Sequence, residues 1–505
     1  MRAGRSSRTS RSSHSKRAGR SKTQRSTPLV LSARLNSRLG LQVAADGSIA
    51  ASFDGYAIPL GRLSAGAAKR AEGLRTGLPL KSFAAERNAV EKEINLLVRR
   101  MARQGLLEYP LARDGADIVV IEPQTADYWP ELKIPANSDT LALSRFAYLR
   151  RRGSDMVLES PRGTALFRVC KPELASALAA LATPQKFGAL RRQDDFLGLE
   201  IFALLFACDM LFKVDATDDD NLRAHEGDQH LVQWDFHDLL FHTHSTEGRQ
   251  ANPIGGRFAY LDAIPPPAAV RPPWPGDAID LKPFSAPSDE ALTPFAKLLR
   301  ERHSTRDFDE QAPIKLAELA RLLDHAARVQ FKWTSPLDLG DGSFGPEIDY
   351  TRRPYPSAGS AYELELYLAV GQCEGLARGF YHYDADRHAL VPIEARTELL
   401  EALLAGAAFA MDAPTTPQIL VTIAARFDRI AWKYSAIAYS LILKDVGVLL
   451  QTLYLAATDL DLGGCAIGTN NIDLFAKLTG EAFHVEGPVG LFALGRGRPV
   501  GTSGP

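Results

Sequence analysis

Several short stretches of this chain hold residue types that could do chemistry. Lys433–Tyr434 sets a primary amine beside a phenol, two groups that handle protons, near the start of a long apolar segment. Arg302-His303-Ser304-Thr305-Arg306 gathers two guanidiniums, an imidazole and two hydroxyls within five residues. Arginine forks match phosphate oxygens bidentately, although charged clusters are also common at helix ends. Pro356-Ser357-Ala358-Gly359-Ser360 precedes a strand pattern, where small residues either let the backbone approach a flat ligand or make an ordinary turn. A second glycine-rich approach is Leu462-Gly463-Gly464-Cys465-Ala466-Ile467-Gly468, and a last strand runs into Arg496 and Arg498. His225, His230, His237, His242 and His244 raise a metal site, since His242 and His244 on a strand could share one face. No HExxH pair, cysteine partner or arranged carboxylates accompany them, so no metal ligand is assigned.

The elements that must position these groups follow from periodicity. Apolar and small residues recur every 3.6 positions across Phe427–Leu460, which predicts one long buried helix with Lys433–Tyr434 near its first turn. A lysine and a phenol entering a core there are either snorkelling surface groups or a proton-handling pair. Around it stand a helix over Pro313–Val329, a strand over Leu364–Val370, a hairpin from Gly379–Asp384 to His388–Leu390, and a buried strand over Gln418–Ala424. Upstream, Leu29–Leu60 reads as short strands with turns at Asp46-Gly47 and Asp54-Gly55. Phe83–Gln104 is helical with Gly105 as its C-cap, and two strands follow, the outline of a winged helix. A weaker recurrence of strands and helices, with Pro172–Leu181 among the helices, suggests a second such unit. The expected domains are 1–28, a disordered basic tail; 29–125 and 140–215, two winged-helix-like units; 216–287, a His-rich segment and Pro-rich linker; and 288–501, the domain with the chemistry. Arg99, Arg100 and Arg103 could meet phosphates of a nucleic acid, but Glu86, Glu91 and Glu93 on the same helix would repel them.

Composition bounds the remaining choices. With 505 residues, 45% hydrophobic and 24% charged, the chain is expected to fold as several globular domains. Residues 1–28 carry seven Arg, two Lys and no acid; against a total of −1, these nine charges leave about −10 elsewhere. Four scattered cysteines without CxxC spacing suit a reducing compartment, and the cytoplasm is the expected one. No apolar run is expected to reach bilayer-spanning length, the best being Leu197–Phe212, interrupted by Glu200 and Asp209.

Taken in order, RHSTRDF, RRPYPSAG with ELELY, GFYHYD with HAL, RFDRIAWKYSAIAYSLILKDVG, LGGCAIG and EGPVGLFALGRG resemble the nitroreductase-like flavoproteins, and among them the SagB-type dehydrogenases or azoline oxidases. The resemblance covers about 210 residues of the C-terminal domain. It implies an α+β chain whose nitroreductase-like FMN domain, a mixed sheet flanked by helices, follows two small winged-helix-like peptide-recognition domains. It further implies FMN as cofactor, a homodimer, a ribosomally made precursor peptide as substrate, and cyclodehydratase partner enzymes, as in thiazole/oxazole-modified microcin biosynthesis. By position, Arg302, His303, Ser304 and Arg306 would meet the FMN phosphate and ribityl chain. Pro356, Ser357, Ala358 and Gly359 would pass along the ring, Gly464, Ile467 and Gly468 would lie near it, and Arg496 or Arg498 would close on the phosphate. The family's Lys-Tyr pair matches Lys433 and Tyr434, with Lys433 as the base, kept neutral by burial, when a thiazoline or oxazoline is oxidised to the aromatic ring and O2 reoxidises the flavin. His303, Ser360 and Tyr362 depart from the usual motifs. Alternatives are an NAD(P)H-dependent nitroreductase or flavin reductase, and a non-catalytic, flavin-sensing DNA-binding protein.

Overall fold

The computed structural model describes residues 27–498, except 54–55, 84–87, 127, 194–195, 215–225, 250–253, 257 and 286–291. The basic tail to residue 26, the Asp54-Gly55 turn, Glu86, Asp218–Asp220 and His225 therefore lie outside the described residues.

In the N-terminal half, Asn88 caps the helix Ala89–Arg103 by accepting the Glu91 N–H at 2.9 Å. Gly105, at φ 66°, ends it in the left-handed region. The strands Leu107–Arg113 and Ala116–Pro123 are joined by Asp114-Gly115, both with positive φ, the conformation a tight hairpin requires. Pairing of Ala116–Pro123 with Ala165–Val169 then links the elements of the two expected N-terminal units edge to edge. The resulting sheet has seven strands, in the order 78–79, 30–35, 107–113, 116–123, 165–169, 155–159, 148–152. Both sets share one apolar core. The arginines weighed as phosphate contacts are engaged within the fold: Arg99 lies 3.7 Å over the Trp129 ring, and Arg100 donates to the Leu60 carbonyl at 3.0 Å.

The C-terminal half is built on a six-stranded sheet in the order 389–393, 379–384, 364–370, 419–426, 486–495, 463–467. Every pairing within it is antiparallel, not mixed as expected. The crossover from 419–426 to 463–467 does return the chain in the same direction, but 486–495 lies between these strands and runs against both. A hairpin of Phe331–Asp338 with Phe344–Arg352, which the sequence reading left unassigned, projects beside this sheet.

The long helix differs from its expected form. It is split into Phe427–Ala431 and Ala438–Asp459, and the chain turns between them with Ala436 at φ 63°. Lys433 and Tyr434 thus sit in a turn, and Ile437, expected in the apolar stripe, is half exposed. The 22-residue helix Ala438–Asp459 is long and apolar enough to cross a membrane by length and composition, contrary to expectation. Here its Ile442, Val446, Leu449 and Leu453 instead pack into the C-terminal core.

The His-rich segment is helical over Phe236–His244, not the strand that a shared face would need. On the helix Phe236–His244, positions two apart point about 200° from each other, so the His242 and His244 rings diverge. His242 is fully buried, stacked on Trp234 and 3.1 Å from the Tyr439 hydroxyl, while His244 is exposed. Trp234 donates to the His484 carbonyl at 2.7 Å, so this segment is fastened to the C-terminal half. Burial pushes the His242 imidazole down to about 3. The unfolded ring takes up a proton below about 6.5 and the buried ring refuses it. The associated stability is therefore complete above that pH and is lost as pH falls toward 3. Thermal melts from pH 7 to pH 4 are expected to fall less steeply for His242→Gln than for the unaltered chain.

Candidate active site

Two clusters form on one scaffold. The first is centred on Tyr454, a residue not singled out in the sequence. Its hydroxyl meets Ser304 Oγ at 2.8 Å and accepts the Ala466 N–H at 2.8 Å, and the Arg302 guanidinium lies 5.1 Å from its ring centre. The Thr305 N–H donates to the Gly464 carbonyl at 2.8 Å. The helix end at Glu301 and the strand Gly463–Ile467 are thereby held together, as the sequence assignments required. Arg302 and Arg306 face no carboxylate within ion-pair distance among the described residues, and Arg306 and His303 are exposed. Arg306 also borders a small cavity of about 110 Å³ with Met411, Cys465 and Ile467–Thr469.

Not every assigned residue belongs to this opening. Gly464 packs against the Phe492 ring, which leaves no room for a side chain there. Arg496 donates from Nη2 to both oxygens of Glu318, at 2.7 and 2.8 Å, so part of its guanidinium is already paired. Arg498 lies half exposed, 3.7 Å from Asp307. Gly468 faces open space and Ile467 is buried beside it.

The second cluster surrounds Ser357–Gly359. A Cβ on Gly359 would lie 2.5 Å from the Tyr434 hydroxyl and 2.6 Å from Lys433 Nζ, and Lys433 Nζ stands 3.5 Å from the Gly359 carbonyl oxygen. Segments 74 residues apart thus converge, bringing the small-residue loop and the Lys-Tyr pair together. Lys433 is exposed in this arrangement instead of entering the core. Arg429 fastens the same region by donating to the carbonyls of Ala361 and Asp349 at 3.1 and 3.0 Å.

Under this loop lie two carboxyls that were not singled out in the sequence. The Ser357 hydroxyl donates to Glu363 at 3.2 Å, and the Ala358 N–H donates to Asp445 at 2.8 Å. Burial, with the Asp445 carboxylate beside it, pushes Glu363 up to about 7. Asp445 had a sequence signal: it is the charge at i+3 from Ile442 on an otherwise apolar helix face. Asp445 and Tyr454 are nine residues apart on one helix, about 13 Å along its axis, so that helix sets the separation of the two clusters.

Residues 299–496 match the nitroreductase family and residues 141–251 match the cyanobactin oxidase ThcOx family. A candidate nitroreductase of Methanocaldococcus jannaschii is 29% identical over 171 residues, which is 34% of this chain and 76% of that protein. Similar solved structures include the Escherichia coli microcin synthetase McbBCD complex with truncated pro-MccB17 bound (20% identity, TM-score 0.37, 54% of this chain and 97% of that one). A candidate nitroreductase of Desulfovibrio desulfuricans in complex with FMN shares 14% identity at TM-score 0.26, over 42% of this chain and 92% of that one. The C-terminal domain is a nitroreductase-family oxidoreductase domain. A segment matching the cyanobactin oxidase family precedes it, and both matches are consistent with the resemblance read from the motifs.

The two glycines separate packing from opening. Gly464→Ala is expected to destabilise the fold by about 1–3 kcal/mol through overpacking on Phe492, whereas Gly468→Ala, which meets nothing, should be close to neutral in denaturant titrations.

Proposed function

We propose that this protein is an FMN-dependent dehydrogenase that oxidises thiazoline or oxazoline rings of a ribosomally made peptide to thiazole or oxazole. The observation that carries this reading is the convergence of Lys433 and Tyr434 on Gly359. An amine and a phenol meeting at the edge of a small-residue loop are placed to take a proton from a ring lying against that loop. The donor set fits FMN: Arg302 and Arg306, without carboxylate partners among the described residues, suit its phosphate, with Ser304 and His303 beside them. Pro356–Gly359 and Ile467–Gly468 would flank the ring. Bound FMN would supply a hydride acceptor and pass the electrons on to O2.

The work of this chain's own residues is then to hold the azoline and remove one proton. Lys433 would take it at Nζ, with Tyr434 orienting the amine or receiving the proton in turn. Lys433 is exposed in the structure, so a bound cofactor and substrate would have to exclude water from Nζ to favour its neutral form. The N-terminal half would engage the precursor peptide or cyclodehydratase partners, and a homodimer in the cytoplasm completes the reading.

Incubation of the FMN-loaded protein with an azoline-containing peptide and O2 should remove two mass units per ring, read by mass spectrometry. No loss, together with rapid NADPH oxidation, would assign the domain to reductase chemistry. Lys433→Ala should lower ring oxidation by roughly 10²–10⁴-fold, the range expected for a lost general base, while FMN stays bound. In contrast, Arg306→Ala should weaken FMN retention, measured by flavin fluorescence on dilution.

A further inference from the structure

The run from Gly359 to Tyr362 has unusual backbone geometry. Gly359, Ser360 and Tyr362 have φ of 56°, 55° and 46°, and two of these three are not glycine. Side-chain-bearing residues in the left-handed region persist only where their surroundings over-determine them. Four contacts do so here. The Ser357 hydroxyl accepts the Tyr362 N–H at 2.9 Å and donates to Glu363 Oε2, the Ser357 carbonyl accepts the Ser360 N–H at 3.1 Å, and Asp445 Oδ2 accepts the Ala358 N–H. Two of the four end on the buried carboxyls of Glu363 and Asp445, which are 0% and 7% exposed.

These carboxyls hold adjacent residues of the loop, Ser357 and Ala358, and Glu363 Oε1 is buried without any donor among the described residues. Neither has an ion-pair partner among the described residues. Of the neighbouring titratable groups, Tyr355 is buried and acts electrostatically with Arg353, Glu363 and Glu365, while Lys433 and Tyr434 approach Gly359. A buried carboxylate oxygen without a donor is costly, and two bare acceptors cannot satisfy each other. A single proton between them resolves both difficulties, because it gives the orphaned oxygen a partner and leaves one negative charge to hold the Ala358 N–H.

We infer that Glu363 and Asp445 share one proton and act as a positioning pair, clamping Ser357–Tyr362 so that the Gly359 carbonyl is presented to Lys433. The pair touches the loop rather than the reacting atoms. The inference rests on the proposed active site for its function, but the geometry and the shared proton can be tested without it.

The first test is infrared difference spectroscopy on the full chain in H2O and D2O near neutral pH. It should show a protonated carboxyl band that is lost in Glu363→Gln. Absence of a Glu363-dependent band would overturn the shared proton. The second test is hydrogen exchange of peptides spanning 355–363. Glu363→Gln, whose amide can still donate to Asp445, should keep the unaltered protection, whereas Glu363→Leu should accelerate loop exchange about tenfold and leave other segments unchanged. If Glu363→Leu does not fold, Ser357→Ala removes only the connecting hydroxyl and should give the same local acceleration. Unchanged exchange in both, or in Ser357→Ala alone where Glu363→Leu is unfolded, would overturn the clamp. Neither readout needs azoline turnover, so failure of the proposed reaction and failure of this inference are distinguishable.

Discussion

Burial of the strand Ile419–Arg426 constrains the rest of the C-terminal half. It pairs on both edges, with Leu364–Val370 and with Glu486–Gly495, and Ile419–Ala425 are all buried. A strand with no free edge and no free face cannot shift its register without turning its side chains over, so both neighbours are fixed with it. The Leu364 end of one neighbour emerges from the Ser357–Glu363 loop, and the central strand itself runs directly into Phe427–Ala431 and the Lys433 turn. Register at the centre therefore decides where the loop and the lysine meet.

The helix Ala438–Asp459 supplies the second dimension. Its apolar face is core, but two polar side chains along it do other work, Asp445 on the Ala358 amide and Tyr454 on Ser304 and Ala466. A rigid helix carrying one contact for each cluster holds them at a constant spacing. The segment Glu226–His244 leans on the same region: Trp234 and His242 pack against Phe427 and Tyr439, beside the turn that carries Lys433.

Much of this was legible in the order of residues. The hairpin Gly379–Asp384 with Ala389–Ile393, the buried central strand and the helix before Gly105 follow from alternation, from 3.6-residue periodicity and from glycine at a left-handed position. Gly359 and the Lys433–Tyr434 pair were singled out by residue type alone. The split in the long helix was not legible, because no proline or glycine marks the turn in which Ala436 takes a positive φ. The 331–352 hairpin was missed because its exposed aromatic residues follow no buried-face pattern.

Side-chain partnership is the other thing that sequence could not decide. Arg496 and Arg306 look equally suited to a phosphate, yet Glu318, 178 residues from Arg496, claims one of them. Gly464 and Gly468 look equally open, yet Phe492 fills the space beside the first. Glu363 reads as one acid in an alternating strand until folding sets it beside Asp445, away from water. Residue types and their spacing determined which chemistry this chain could attempt. Only tertiary structure decided which of those groups are left unpaired to attempt it, because pairing depends on neighbours brought in from distant parts of the chain.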